Sequence, residues 1–171
     1  TPYWLVPERS HNYYVEPDPA GGTRLIDNGA DFDPGITIPN GGWNAPLGDM
    51  VRYAAFLTGA ASDDETLRRF DAVLSRSSLE EMWVPRVPIS EDPAAEHRET
   101  MALSYFLVRD GERSVIGHTG SQAGFRAFFY FQPEKRTAVI AAFNTTNLEQ
   151  SPEAAALHQA MMNAAYSVAD P

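Results

Sequence analysis

The sequence predicts an α+β fold in which an antiparallel sheet is flanked by helices. Three observations carry that expectation. Between Met101 and Asn144 lie four strand-like runs, "MALSYFLVRD", "RSVIGHTG", "FRAFFYFQP" and "RTAVIAAFN". They are separated by short polar turns at Asp110-Gly111, around Gln122–Gly124, and at Pro133-Glu134-Lys135. Connections that short join antiparallel neighbours. The segments on either side of these runs repeat their apolar residues at helical spacing instead, and "FRAFFYF" and "TAVIAAF" are apolar at nearly every position, so helices are needed to cover both of their faces.

The elements follow in order along a chain of 171 residues, a length that fits one domain removing roughly 70% of its unfolded surface from water. Residues 1–45 are rich in Pro, Gly, Asp and Asn and read as an irregular lead-in, with short extended pieces at "NYYVEP" and "TRLID". Residues 46–100 read as mainly helical. In "NGGWNAPLGDMVRYAAFLTG", Asn44 can cap, Pro46 suits a first turn, and Leu47, Met50, Val51, Ala54 and Leu57 share a face before Gly59 stops the helix. "DETLRRFDAVL" is a second helix, and "SSLEEMW" starts a third with Ser77 and Glu80 at capping-box spacing.

"PRVPISEDPAAEHRE" has no usable period and reads as a surface loop that places His97 in solvent. Residues 101–145 are the antiparallel strands. Residues 151–168 form a C-terminal helix of about four turns, capped by Ser151 and started by Pro152, with Glu153 at the positive end of its dipole. Met161, Met162 and His158 read as covering residues on it. No internal repeat interrupts this single, partial domain.

Composition removes several functions. Net charge is -10, the twelve arginines are scattered and Lys135 is the one lysine, so no basic patch awaits nucleic acid or anionic lipid. No apolar run approaches the roughly 20 residues of a membrane helix, and "TPYWLVPERS" lacks the regions of a signal peptide. No residue decides between an extracytoplasmic and a cytoplasmic location. The absence of cysteine excludes disulfides and thiolate chemistry. The four histidines stand far apart without His-x-x-x-His or His-Glu-x-x-His, so neither a metal nor a cofactor is expected.

Chemistry concentrates in "GHTGSQAGF", where Gly117, Gly120 and Gly124 bracket His118 and Thr119. Glycine weakens a strand and often marks the close approach of a ligand or another backbone. An extended acyl substrate laid along this edge would be held by main-chain hydrogen bonds, with His118 and Thr119 turned to its carboxylate or reacting carbonyl. The plainer alternative has the glycines serving turns and His118 as a satisfied imidazole.

With its neighbours, this stretch resembles the serine β-lactamase and penicillin-binding protein superfamily, in which a Lys-Thr-Gly or His-Thr-Gly strand borders the active site. "GGWNAPLGDMVRYAAFLTG" and "IGHTGSQAGFRAFFYFQPEKRTAVIAAFN" are most similar to the branch of class C β-lactamases, D-alanyl-D-alanine carboxypeptidases and esterases. The likeness covers residues 40 to 166. It implies the C-terminal portion of the β-lactamase/transpeptidase-like fold and a parent that hydrolyses amide, lactam or ester acyl bonds through an acyl-enzyme. It further implies that His118, Thr119 and Gly120 are the third catalytic motif, that the Ser121 N–H is an oxyanion-hole donor, and that Gly124 and Phe125 shape the substrate-binding strand.

The family's nucleophile motif, Ser-x-x-Lys, is missing: the residue three before Lys135 is Gln132. No tyrosine is followed two positions later by asparagine, so Tyr-x-Asn is missing too. A Ser-His pair of another kind, made by Ser104, Ser114 or Ser121 with His118, lacks a Gly-x-Ser-x-Gly elbow. The expectation is a C-terminal fragment, inactive alone, of an enzyme that takes a small-molecule or peptide acyl substrate. Its uncovered apolar face would drive a homodimer or association with the missing N-terminal part. The rival expectation is a non-catalytic binding or assembly module that keeps the fold without the chemistry.

Overall fold

The strand-like runs form a six-stranded sheet with the order β3-β4-β5-β6-β7-β8 in a computed structural model that describes residues 10–28, 36, 38–90, 92, 94–147 and 152–171. Its members are β3 (Val87–Pro88), β4 (His97–Met101), β5 (Phe106–Asp110), β6 (Arg113–Gln122), β7 (Phe125–Gln132) and β8 (Thr137–Phe143). Sequence neighbours are sheet neighbours throughout, the meander that short turns dictate. The first three pairings are antiparallel, with Val87 opposite Met101, Met101 opposite Phe106 and Phe106 opposite Gly117. No residue of β7 is exposed, in keeping with a run that is apolar at nearly every position, whereas β8 opens to solvent at Ala142 and Phe143.

The turns match their residues. Gly111 has φ +63° after Asp110. Ala123 and Gly124 have φ +49° and +79°, both in the left-handed region that a two-residue hairpin turn needs.

A second sheet has the order β2-β1-β9, from β1 (Tyr13–Pro17), β2 (Thr23–Asp27) and β9 (Thr145–Asn147). β2 pairs antiparallel with β1, and β9 pairs with it in parallel. The extended pieces of the lead-in are therefore strands. Their irregular look comes from length, since five exposed or half-exposed residues show no period.

Of the five helices among the described residues, α1 is Ile38–Gly41, α2 Leu47–Thr58, α3 Asp64–Val73, α4 Arg76–Met82 and α5 Pro152–Ala169. α2 follows Pro46 directly and ends at Gly59, φ +68°. Gly59 N–H donates to Phe56 O at 3.3 Å and Ala60 N–H to Ala55 O at 2.9 Å, the paired bonds of a Schellman stop. Asp63 caps α3 by accepting from Thr66 N–H at 2.7 Å. The backbone of Thr66, then its hydroxyl and that of Ser62, hold the Asp63 carboxyl below its usual pKa. α4 is capped by Ser75, which accepts from Ser78 N–H at 3.2 Å, rather than by the expected Ser77. Both serines fit the pattern, and the earlier one stands where the chain is still extended. α5 starts at Pro152 as expected, and Ser151 lies outside the described residues.

Two further expectations are corrected. "PRVPISEDPAAEHRE" contains β3 and the start of β4, pieces too short and too polar to show a strand period. "MALSYFLVRD" is not one strand: Ser104 turns at φ +61°, and Ala102 N–H donates to Tyr105 O at 2.8 Å, separating β4 from β5.

Backbone contacts divide the chain into two compact units, one within residues 1–46, 119–127 and 141–160, the other within 47–118, 128–140 and 161–171. The core of the second gathers Leu57, Leu79, Trp83, Tyr105 and Phe131. Trp83 and Tyr105 meet Phe131 edge-on at 5.3 and 5.8 Å. Enclosing a side chain as Leu57 is enclosed contributes about 2 kcal/mol. On the C-terminal part of α5, buried Tyr166 meets Tyr130 edge-on at 5.0 Å. Burial first, then the neighbouring Tyr166, raises the Tyr130 phenol above the ordinary range.

Candidate active site

The three glycines of "GHTGSQAGF" have three different surroundings. A Cβ built on Gly117 would lie 2.0 Å from Phe129 O and 2.8 Å from Tyr130 Cα, so only glycine lets β6 lie against β7 there. A Cβ on Gly124 would lie 2.8 Å from Tyr13 O and 3.0 Å from Tyr13 N, and its φ of +79° independently favours glycine. Gly120 differs: among the described residues no heavy atom lies within 4 Å of a Cβ placed there. The turn that closes the strand is held by Asn28, whose Nδ2 donates to Ala123 O at 2.7 Å.

His118, Thr119, Gly120 and Ser121 are consecutive on β6, which passes from one compact unit to the other between His118 and Thr119. His118 is exposed, and its ring lies tilted against Phe106 with centroids 4.7 Å apart. Thr119 is half-buried, while Gly120 and Ser121 are exposed. The pairing of β5 with β6 reaches only to Gly117, so the His118–Gln122 end extends beyond that register. Gly124 is buried against β1, and Phe125 begins β7 half-buried.

The family model named Beta-lactamase matches residues 3–161. The chain belongs to the beta-lactamase family. For this beta-lactamase-family chain the match carries a serine-hydrolase-like parent of the β-lactamase/transpeptidase-like superfamily, and the mixed α+β architecture with its antiparallel sheet agrees with it. No curated protein and no solved structure shows a significant match to the chain. No helix among the described residues is long and apolar enough to cross a membrane.

Several polar groups of this beta-lactamase-family domain escaped sequence reasoning. His97 is half-buried rather than loosely solvated: Nδ1 lies 3.2 Å from Asp110 Oδ1, Nε2 lies 3.4 Å from Glu99 Oε1, and its ring stacks on Tyr166 at 6.0 Å. His158 Nδ1 accepts from Arg126 Nη1 at 2.8 Å. Burial first, and the Arg126 charge second, hold the His158 imidazole below its ordinary pKa. The Tyr53 and Tyr105 hydroxyls share a 2.7 Å hydrogen bond. Burial, then that bond, raises the Tyr105 phenol above its usual range. These pairs join residues far apart in sequence, and no local spacing signals them. Among the described residues, no three His, Asp or Glu side chains converge as a metal site.

Proposed function

We propose that the domain is the substrate-edge portion of a serine hydrolase that cleaves amide, lactam or ester acyl bonds through an acyl-enzyme. The observation that carries this reading is the open space beside Gly120 on β6, where Gly117 of the same strand and Gly124 of the turn that follows are pressed against backbone. An acyl group laid along β6 there meets Thr119 as hydrogen-bond partner, His118 as the group that orients it and stabilises charge, and Ser121 N–H as a donor to the carbonyl oxygen. Gly124 and Phe125 shape the turn and the strand beside it. Histidine at 118 in place of lysine favours a peptidase or esterase over a true β-lactamase.

The nucleophile is not among these 171 residues, because the sequence holds no Ser-x-x-Lys and no Tyr-x-Asn. This polypeptide alone therefore binds substrate without turning it over. The exposed Leu47 and Val51, four residues apart on α2, supply an apolar face for a polypeptide that carries the nucleophile. The missing motifs also favour a second reading, a binding or assembly module that retains the fold without the chemistry.

Intact-mass measurement after incubation with a fluorescent penicillin and with a fluorophosphonate tests the chemistry. The proposal expects an unmodified mass with both reagents. A stoichiometric adduct on this chain would overturn it.

A further inference from the structure

β5 begins where a turn ends. Ser104 has φ +61° and Ala102 N–H donates to Tyr105 O at 2.8 Å, so the chain turns just ahead of Phe106, the first residue of the strand. Tyr105 is buried and meets Phe131 edge-on at 5.8 Å, and Leu107 packs against the same core. Side chains alternate along an extended chain, which turns Phe106 away from that core. A row across the sheet braces it there: Val87 stands opposite Met101 and Met101 opposite Phe106, so the three apolar side chains share one face.

At the β6 end of that row, directly opposite Phe106, stands Gly117, which has no side chain. The Phe106 ring meets the next residue along, His118, with centroids 4.7 Å apart and planes 37° from parallel. The register of β5 on β6 stops at this pair, so Phe106 is the last β5 side chain before the stretch of β6 assigned to the acyl substrate. Phe106 is half-buried, while His118 is exposed. An exposed imidazole at a strand end has several rotamers open to it, and fixing one when a ligand arrives costs binding free energy. A half-buried ring, braced from behind and lying against the imidazole, removes part of that choice beforehand.

We propose that Phe106 is a positioning residue for the acyl-substrate edge and acts through His118: its ring holds the imidazole in the orientation in which it meets the substrate's acyl group. This rests on the acyl-hydrolase reading of β6 and specifies how one group of that site is held. Phe106 contributes orientation and neither proton nor charge, since a phenyl ring carries neither.

The test is a double-mutant cycle on penicillin binding, with Kd read from the Gly120 and Ser121 amide shifts of the ¹⁵N-labelled chain. Phe106→Leu should weaken binding about fivefold, the scale of one lost aromatic contact, and Phe106→Tyr, which keeps the ring, should bind close to wild type. Added to His118→Ala, Phe106→Leu should cause no further loss, because its effect passes through the imidazole. In the free protein the His118 ring protons should carry a ring-current displacement that Phe106→Leu removes and Phe106→Tyr retains. Equal binding by wild type and Phe106→Leu would overturn the proposal and leave the acyl-edge reading standing, as would the same loss in both His118 backgrounds, the mark of a residue that only supports β5. Penicillin shifts in the wild type that avoid Thr119, Gly120 and Ser121 would instead remove the acyl-edge reading and this proposal with it.

Discussion

A Cβ on Gly117 would sit 2.0 Å from the carbonyl oxygen of Phe129, while one on Gly120, three residues along the same strand, would touch nothing described within 4 Å. The contrast separates glycines that the fold requires from one that leaves room for a ligand. Gly117→Ala should destabilise the domain by about 3 kcal/mol or more, since β7 backbone must move to admit the methyl group. Gly124→Ala should be similarly damaging through its positive φ and the approach of Tyr13. Gly120→Ala should change stability by no more than about 0.5 kcal/mol. Urea denaturation of the three variants measures the ordering.

The hairpin turn between β6 and β7 carries an alanine where the backbone is left-handed, φ +49°. Asparagine tolerates that conformation, and Asn-Gly is the preferred pair for such a turn. Ala123→Asn should stabilise the chain by about 1 kcal/mol, a rise in Tm of roughly 3 °C for a domain of this size. A calorimetric scan showing no rise would mean that the neighbouring Asn28 contact already relieves the strain.

Asp170 ties the chain end to the sheet through Lys135 Nζ and Ser114 N–H. Burial pushes its pKa up, but the Lys135 and Ser114 hydrogen bonds and the charges of Lys135 and Arg113 outweigh burial and leave it lowered. A depressed folded-state pKa means stability that is present above the ordinary carboxylate value of about 3.9 and is lost as pH falls through the folded value. Asp170→Asn should destabilise the domain by about 2 kcal/mol at pH 7. The difference from wild type should shrink below pH 4, as read from urea midpoints across pH 3 to 7.

Tyr105 and Tyr53 share a hydroxyl contact of 2.7 Å at the edge of the core, yet Tyr53 is 41% exposed. Tyr105→Phe keeps the ring packed on Phe131 and leaves Tyr53 able to turn to water. The loss should be no more than about 1 kcal/mol, against about 3 kcal/mol for Leu57→Ala in the fully enclosed centre.

Regular local patterns were legible, and patterns set by distant partners were not. The apolar runs of β7 and β8, the Gly59 stop and the Pro152 start each carry their reason within a few residues. β3 has two residues, and β1 owes part of its pairing to Thr145–Asn147, more than a hundred residues away, so neither announces itself locally. The same division runs through the site. "HTG" and its glycines were readable as a motif, but only packing shows that Gly117 and Gly124 are pressed against backbone while Gly120 is open. The family match begins at residue 3, well before residue 40, where the likeness in the sequence becomes readable. The described strands of the lead-in, β1 and β2, are five residues each and exposed or half-exposed, so their sequence shows no period.

The central claim is that the β6 end at His118–Ser121 is an acyl-substrate edge. Amide shifts of the ¹⁵N-labelled chain during titration with an intact penicillin test it most directly. The account predicts saturable shifts at Thr119, Gly120 and Ser121 that Gly120→Val, which fills the open space, removes without unfolding the domain. Shifts that avoid this strand end, or that persist unchanged in Gly120→Val, would contradict it.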